Sequence, residues 1–242
     1  MPFRKLRRLL DYIENPILFS AKKNGVRVDF VSELVQLRDE FGIAPGTVID
    51  VGANHGEFIK AAQFVFPKCT VAAFEPIPHL YEKLEELYSS SICEIYPYAL
   101  DMERQSRDFF VTGADDLSSL LKPTALLRTR VHNDEQVAIE PVEVEVRRID
   151  EILNLTNHTR PVFMKIDTQG SELGVLHGAE KLFAYIDCIK FEYDFDNLYE
   201  GQASLLEIFS IMGKNSFKRF LQIDTHYSEK RIRRCDFLFF RD

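Results

Sequence analysis

The residues with chemistry in them fall at four places in the chain. Positions 50–56 hold Asp50, Gly52, Ala53, Asn54 and Gly56, a D-x-G-A-N-x-G pattern. Glu75-Pro76 follows roughly 20 residues after the glycine turn, at the end of the apolar run Val71-Ala72-Ala73-Phe74. Asp167-Thr168-Gln169-Gly170-Ser171-Glu172 closes the run 161–166, and Glu192, Asp194 and Asp196 close another. In open α/β sheets, ligands sit outside the carboxyl ends of the strands, where all of these groups fall. A glycine turn lets the backbone approach a ligand, and the helix after it offers free N–H groups. A carboxylate after the next strand accepts hydrogen bonds from ribose hydroxyls; on the plainer reading Glu75 is only a solvated carboxylate before a proline turn. Asp167 stands where a reacting group belongs.

The glycine pattern narrows the ligand. A dinucleotide fingerprint G-x-G-x-x-G starting at Gly52 needs glycine where Asn54 and Glu57 stand. Glu57 also puts a negative charge where a pyrophosphate needs neutral or positive surroundings. The pattern suits a cofactor with no phosphate and a positive centre. S-adenosylmethionine is one, since its ammonium and sulfonium favour an acidic, carbonyl-rich loop.

These groups need an alternating framework to position them. Residues 30–41 read as a helix with Val31, Leu34, Val35 and Phe41 inward, ended by Gly42. Thr47–Val51 is a buried strand, Glu57–Phe66 a helix stopped by Pro67, Thr70–Phe74 a second strand. His79–Tyr88 is a helix with Leu80, Leu84 and Leu87 on one face, and Cys93–Ala99 a third strand. Ala99, Leu100 and Asp101 then border an adenine. Residues 102–147 break the alternation. Arg107–Val111 is strand-like, Gly113–Arg130 is a long loop, and valines at 137, 142, 144 and 146 alternate with glutamates, which predicts a strand pair with one wet face. This insertion is expected to cover the site and help choose the acceptor. Asp150 is placed to cap a short helix 151–153. Strands at 161–166 and 188–193, a helix 204–214, and a last antiparallel pair, Phe217–Asp224 and Cys235–Phe240, complete the chain, with His226 and Tyr227 in a polar loop.

Composition sets limits. A chain of 242 residues fits one ordinary α/β domain, residues 43–242, with an N-terminal helical extension at 1–42. A net charge of −8 argues against general nucleic-acid binding. The four cysteines are far apart with no C-x-x-C pair, which suggests neither zinc nor disulfides and fits a reducing cytoplasm. No apolar run reaches the ~18 residues of a membrane span. Residues 3–14 form a basic amphipathic stretch, with Phe3, Leu6, Leu10 and Ile13 at helical spacing. It fits a membrane-surface contact or docking on its own domain or on a second subunit of a homodimer. Four basic residues make a weak anchor, which favours docking. Asp115, Asp116, Asp167, Asp194 and Asp196 have oxygen ligands that suit Mg²⁺ or Ca²⁺, but their spacing gives no motif, and no metal is expected.

Five stretches together resemble the FkbM-type methyltransferases, a family of S-adenosylmethionine-dependent O-methyltransferases. They are VIDVGANHGEF (48–58), AFEPIP (73–78), YAL (98–100), VEVRRIDEIL (144–153) and, most specific, KIDTQGSELGVLHGAEKLF (165–183). The resemblance implies a class I methyltransferase fold: a Rossmann-like seven-stranded sheet in the order 3-2-1-4-5-7-6, helices on both faces, strand 7 antiparallel. It implies methyl transfer to a hydroxyl of a small molecule, a sugar or glycan, or a secondary metabolite. An alcohol is a poor nucleophile, so a base should take its proton, worth about 10²- to 10⁴-fold. Asp167 is the first candidate, with Glu192 and Glu172 behind it; Glu172 reads equally well as a helix-capping carboxylate. The cofactor-binding candidates are Asp50, Gly52, Ala53, Asn54, Gly56, Glu75, Pro76, Ala99 and Leu100. Two rivals remain: a non-catalytic methyltransferase-like scaffold, and a nicotinamide-dependent oxidoreductase, disfavoured by Asn54 and Glu57.

Overall fold

A computed structural model of the chain describes residues 15–113, 115–130, 139–228 and 230–242. The amphipathic stretch 3–14, Val137 and Ala138, and the side chain of Asp115 lie outside the described residues. The elements, in order, are α1 (Pro16–Lys23), α2 (Val28–Asp39), β1 (Thr47–Val51), α3 (Glu57–Val65), β2 (Thr70–Phe74) and α4 (Pro78–Tyr88). Then come β3 (Cys93–Tyr96), β4 (Ala99–Leu100), β5 (Gln105–Thr112), α5 (Ala125–Arg130), β6 (Ile139–Arg147) and β7 (Val162–Ile166). The chain ends with α6 (Glu172–Gly178), β8 (Cys188–Asp194), α7 (Leu205–Lys214), β9 (Arg219–Ser228) and β10 (Arg231–Phe240).

Seven strands form one sheet in the order β3-β2-β1-β7-β8-β10-β9. Counting only these seven along the chain, the order is 3-2-1-4-5-7-6, and β10, the seventh, runs antiparallel to both neighbours. This is the class I methyltransferase sheet. The apolar runs become central strands because helices cover both faces, so both sides of each strand are buried. In β1, Ile49 and Val51 face the core under α6 and α7, while Val48 faces the core under α1–α3. The chain reverses direction across the sheet between β1, whose neighbours are β2 and β7, so the ends of β1 and β7 lie at a topological switch point.

Several boundaries differ from expectation. The third strand stops at Tyr96, and Ala99–Leu100 leaves the main sheet to pair with β6. The two strands of the wet-faced pair are β5 and β6, antiparallel; with β4 they form a second sheet of three strands. Its Phe109, Val144 and Val146 pack on Ile77 and Leu80. Leu87 is exposed rather than inward, because the covered face of α4 is narrow. Asp150 lies inside a 3-10 turn (Ile149–Glu151) rather than before a helix, and its carboxylate receives Arg148 at 2.7 Å. His226 and Tyr227 sit in β9, which runs four residues past its expected end. All four cysteines are buried free thiols. Among the described residues, no helix is long and apolar enough to cross a membrane.

Candidate active site

A cavity of about 360 Å³ opens at the carboxyl ends of β1, β2 and β7, within the usual size of ligand pockets. The loop after β1 forms its floor. The N–H groups of Gly52 and Ala53 donate to the Phe74 carbonyl oxygen at 3.1 and 3.0 Å, tying the loop to the end of β2. Gly52 has φ +80°, and a Cβ there would fall 2.1 Å from the Asp167 carbonyl oxygen. Gly56 has φ +75°, and its missing Cβ leaves room for Leu84 and Tyr88. Both glycines make room for neighbouring chain, and Gly52 also keeps the backbone open to the cavity. Gly52, Ala53 and Asn54 line the cavity, whereas Gly56 does not.

Glu75 is buried, which overturns its plainer reading as a solvated carboxylate. Its Oε2 accepts the Asn54 N–H at 2.8 Å and its Oε1 accepts the Ile77 N–H at 2.9 Å. One carboxylate thus joins the loops that follow β1 and β2, and it faces the cavity. Pro76, Ala99 and Leu100 line the same wall, with Tyr98 and Ile77 beside them.

Asp50 was expected at the cofactor, but it lies behind the cavity, fully buried. Its Oδ1 pairs with Lys165 Nζ at 3.1 Å. Burial pushes its carboxyl above the usual range against the pull of Lys165. The reason is register: Asp50 is the cross-strand partner of Lys165, and Lys165 of Lys190. These three residues make a charged row across a face otherwise apolar. Lys190 is drawn away from Lys165 by Glu33 of α2 and by Asp236 at 2.9 Å.

Asp167 does line the cavity, at the end of β7. Lys165 Nζ stands 3.5 Å from its Oδ2, and the Gln169 amide donates to its Oδ1 at 2.8 Å. Burial would raise its pKa, but Lys165 and Gln169 outweigh burial and hold the carboxyl below its ordinary value. Gln169 has φ +54°, a sparsely populated conformation for a non-glycine residue. Its strain is held from two sides: Ser119 Oγ of the insertion donates to the Gln169 carbonyl oxygen at 2.8 Å, and the Tyr199 hydroxyl, from the loop after β8, donates to Gln169 Oε1 at 3.2 Å. The insertion itself adds Phe109, Asp116, Ser118 and Leu120 to the cavity wall.

The other two acid candidates stay outside the cavity. Glu172 Oε1 accepts the N–H groups of Thr168 and Gly170 at 3.3 and 3.0 Å, so it organises the Asp167 turn. Burial pushes it up to about 7. Glu192 sits between the Gln169 amide at 3.5 Å and the Arg234 guanidinium at 3.2 Å. Burial, then the charge of Asp167, pushes it up to about 8. Asp116 and Asp167 line the cavity, while Asp196 is bound by Arg233 at 2.6 Å and Arg231 at 3.1 Å. Among the described residues, no group of three or more His, Cys, Asp or Glu is placed to hold a metal ion.

Sequence reasoning missed Lys165, Gln169 and Ser119, and also Arg27 and Phe30 of the N-terminal hairpin, which line the cavity. For Lys165 a signal existed: a lone charge inside an apolar central strand must have a buried partner. For the others the contacts are non-local, and nothing in their spacing marks them.

Comparison with known proteins bears on the family and the fold. The methyltransferase FkbM domain matches residues 50–237. "Methyltransferase 1" of Beauveria bassiana is 25% identical over 178 residues, 64% of this chain and 68% of that protein. The 2-O-methyltransferase NoeI of Sinorhizobium fredii is 24% identical over 173 residues, 68% of this chain and 70% of that protein. Among solved structures, the N-terminal domain of EvdMO1, determined in the presence of SAH and D-fucose, shares the fold. Its TM-score is 0.50 at 8% identity, over 89% of this chain and 84% of that one. The chain therefore belongs to the FkbM methyltransferase family, and it is a methyltransferase.

Proposed function

We propose that the protein transfers a methyl group from S-adenosylmethionine to a hydroxyl of a sugar, glycan or secondary metabolite, with Asp167 as the group that orients the hydroxyl and takes its proton. The observation that carries this is the placement of Asp167: a cavity-lining carboxylate, held ionised by Lys165 and aimed by the Gln169 amide. The donor fits the residues present. Glu75 accepts one N–H on each oxygen and lines the cavity at the end of β2, where a carboxylate suits ribose hydroxyls. Ala99, Leu100 and Tyr98 give an uncharged wall for a base. The lining carboxylates are Glu57, Glu75, Asp116 and Asp167 against the cations Arg27 and Lys165. Lys165 is already paired with two carboxylates and Arg27 with Glu57, a balance ill suited to a pyrophosphate. The salt bridge to Arg27 does neutralise Glu57, so the case against a dinucleotide rests on this whole lining rather than on Glu57 alone.

S-adenosylmethionine supplies, when bound, a methyl group already activated on a sulfonium. What the chain must add is alignment and a proton acceptor. A carboxyl held below its ordinary pKa is a weak base but is ionised at neutral pH, so it can hold the hydroxyl hydrogen and receive it as the new C–O bond forms. The insertion flanks this point with Phe109, Ser118 and Leu120, which line the cavity beside Asp167. NoeI is named a 2-O-methyltransferase, which supports oxygen as the accepting atom. The test is transfer of labelled methyl to a panel of free sugars, glycans and hydroxylated metabolites. Wild type should label at least one; Asp167→Asn should lose about 10²- to 10⁴-fold in kcat while still binding S-adenosylhomocysteine. Full activity in that variant would remove Asp167 from the mechanism.

A further inference from the structure

Arg27 and Phe30 lie before the matched family region, yet both line the cavity. Arg27 stands at the start of α2 and is held in place from several sides. Lys60 Nζ donates to the Gly25 carbonyl oxygen at 2.9 Å, and Val26 is buried in the core. The guanidinium carbon lies 4.7 Å from the centre of the Phe30 ring, and Phe30 packs edge-on against Phe58. Nη1 donates to Glu57 Oε2 at 2.6 Å, the single hydrogen bond recorded for this guanidinium among the described residues. Most of its N–H groups therefore remain for a ligand.

The charge pattern around Arg27 is specific. Glu57 and Asp116 also line the cavity, and the hydrogen bond and charge of Glu57, then the charges of Asp29 and Asp116, outweigh burial and hold Arg27 protonated. One end of the cavity is thus carboxylate, guanidinium, carboxylate. The Tyr98–Leu100 wall carries no charge. A simple anion reaching Arg27 would meet two carboxylates, and a simple cation reaching the carboxylates would meet the guanidinium. A group bearing both charges a few bonds apart meets neither penalty. The rim also follows directly from the ribose contact, since Asn54, which holds Glu75, is three residues before Glu57.

We infer that Arg27, stacked on Phe30, binds the carboxylate of an α-amino-acid zwitterion, the amino-acid end of the methyl donor, with Glu57 or Asp116 receiving its ammonium. This rests on the donor proposed above. It makes the N-terminal hairpin a wall of the donor site that the family region alone does not contain. The same charge pairing explains why an exposed Arg27–Glu57 bridge, worth little to stability by itself, stands at this position.

The test compares two ligands by calorimetry on the full chain. S-adenosylhomocysteine carries the amino-acid end; 5′-methylthioadenosine lacks it and keeps the nucleoside. Each is titrated into wild type, Arg27→Met and Arg27→Lys. Arg27 is half exposed, so neither substitution should disturb folding. The expected result is that Arg27→Met weakens S-adenosylhomocysteine about tenfold and leaves 5′-methylthioadenosine unchanged, with Arg27→Lys between. Equal weakening of both ligands would mean that Arg27 only shapes the cavity, and no weakening of either would mean that it touches neither; both overturn the inference. If wild type binds neither ligand, the donor assignment itself falls, a result separate from any effect of Arg27.

Discussion

Asp167 and Glu192 are two carboxylates bridged by one amide, and their environments push them apart. Lys165 keeps Asp167 ionised, while burial and the Asp167 charge raise Glu192 from an ordinary value of 4.5 to about 8. The folded protein therefore binds a proton on Glu192 that the unfolded chain releases. Stability from this group is fully present below pH 4.5 and is lost as pH rises through about 8. Glu192→Gln can keep through its amide oxygen the acceptor for Gln169 and Arg234 Nη1, gives up the contact with Arg234 Nε, and removes that titration. It should be stabilised relative to wild type by on the order of 2 kcal/mol at pH 8.5 and by little at pH 5. Thermal melts of both proteins across that range measure it. The sequence placed both carboxylates at one sheet edge but not their unlike surroundings. Those depend on Lys165 and Arg234, which reach them across strands, and on Gln169, which bends back from the turn.

At the scale of elements, the Asp167 turn is built by its neighbours. The Gly52 backbone lies against the Asp167 carbonyl, so Gly52→Ala should cost at least about 2 kcal/mol from strain at φ +80° and the clash together, measured by urea unfolding. Ser119, fully buried, joins the insertion to the turn through the Gln169 carbonyl. Further along, the Leu198 carbonyl oxygen accepts the Thr124 N–H at 2.8 Å and the Lys122 carbonyl oxygen accepts the Glu200 N–H at 2.8 Å. Ser119→Ala should lower stability by about 1 kcal/mol, and hydrogen exchange should speed up at 119–121 and 168–171 together. Exchange that changed in one segment alone would show that the two are not coupled. The central strands were legible because each is a short, mostly apolar run followed by a glycine or an acid. The second sheet was not, because Ala99–Leu100 pairs with Val146 and Arg147, a contact nearly fifty residues away that no local pattern marks.

At the scale of the molecule, the N-terminal hairpin shares one core with the sheet. Leu18, Ala21, Val31 and Leu34 pack with Val48, Ile59 and Phe163. Glu33 reaches the buried Lys190, and Asp236 completes that pair from β10. Lys190→Met would leave two carboxylates facing a low-dielectric interior, at a cost of about 3–5 kcal/mol, and the loss should appear as a lower midpoint in a single transition. Helix α2 was visible in the sequence from its apolar spacing. Its contribution to the cavity was not, since that needs the hairpin to lie across α3. The central claim, a donor site built on Glu75 for S-adenosylmethionine, is tested most directly by calorimetry. S-adenosylhomocysteine and NAD are each titrated into wild type and Glu75→Ala. The account predicts that wild type binds S-adenosylhomocysteine and not NAD, and that binding weakens at least about tenfold in the variant. Binding of NAD alone, or S-adenosylhomocysteine binding indifferent to the loss of Glu75, would contradict it.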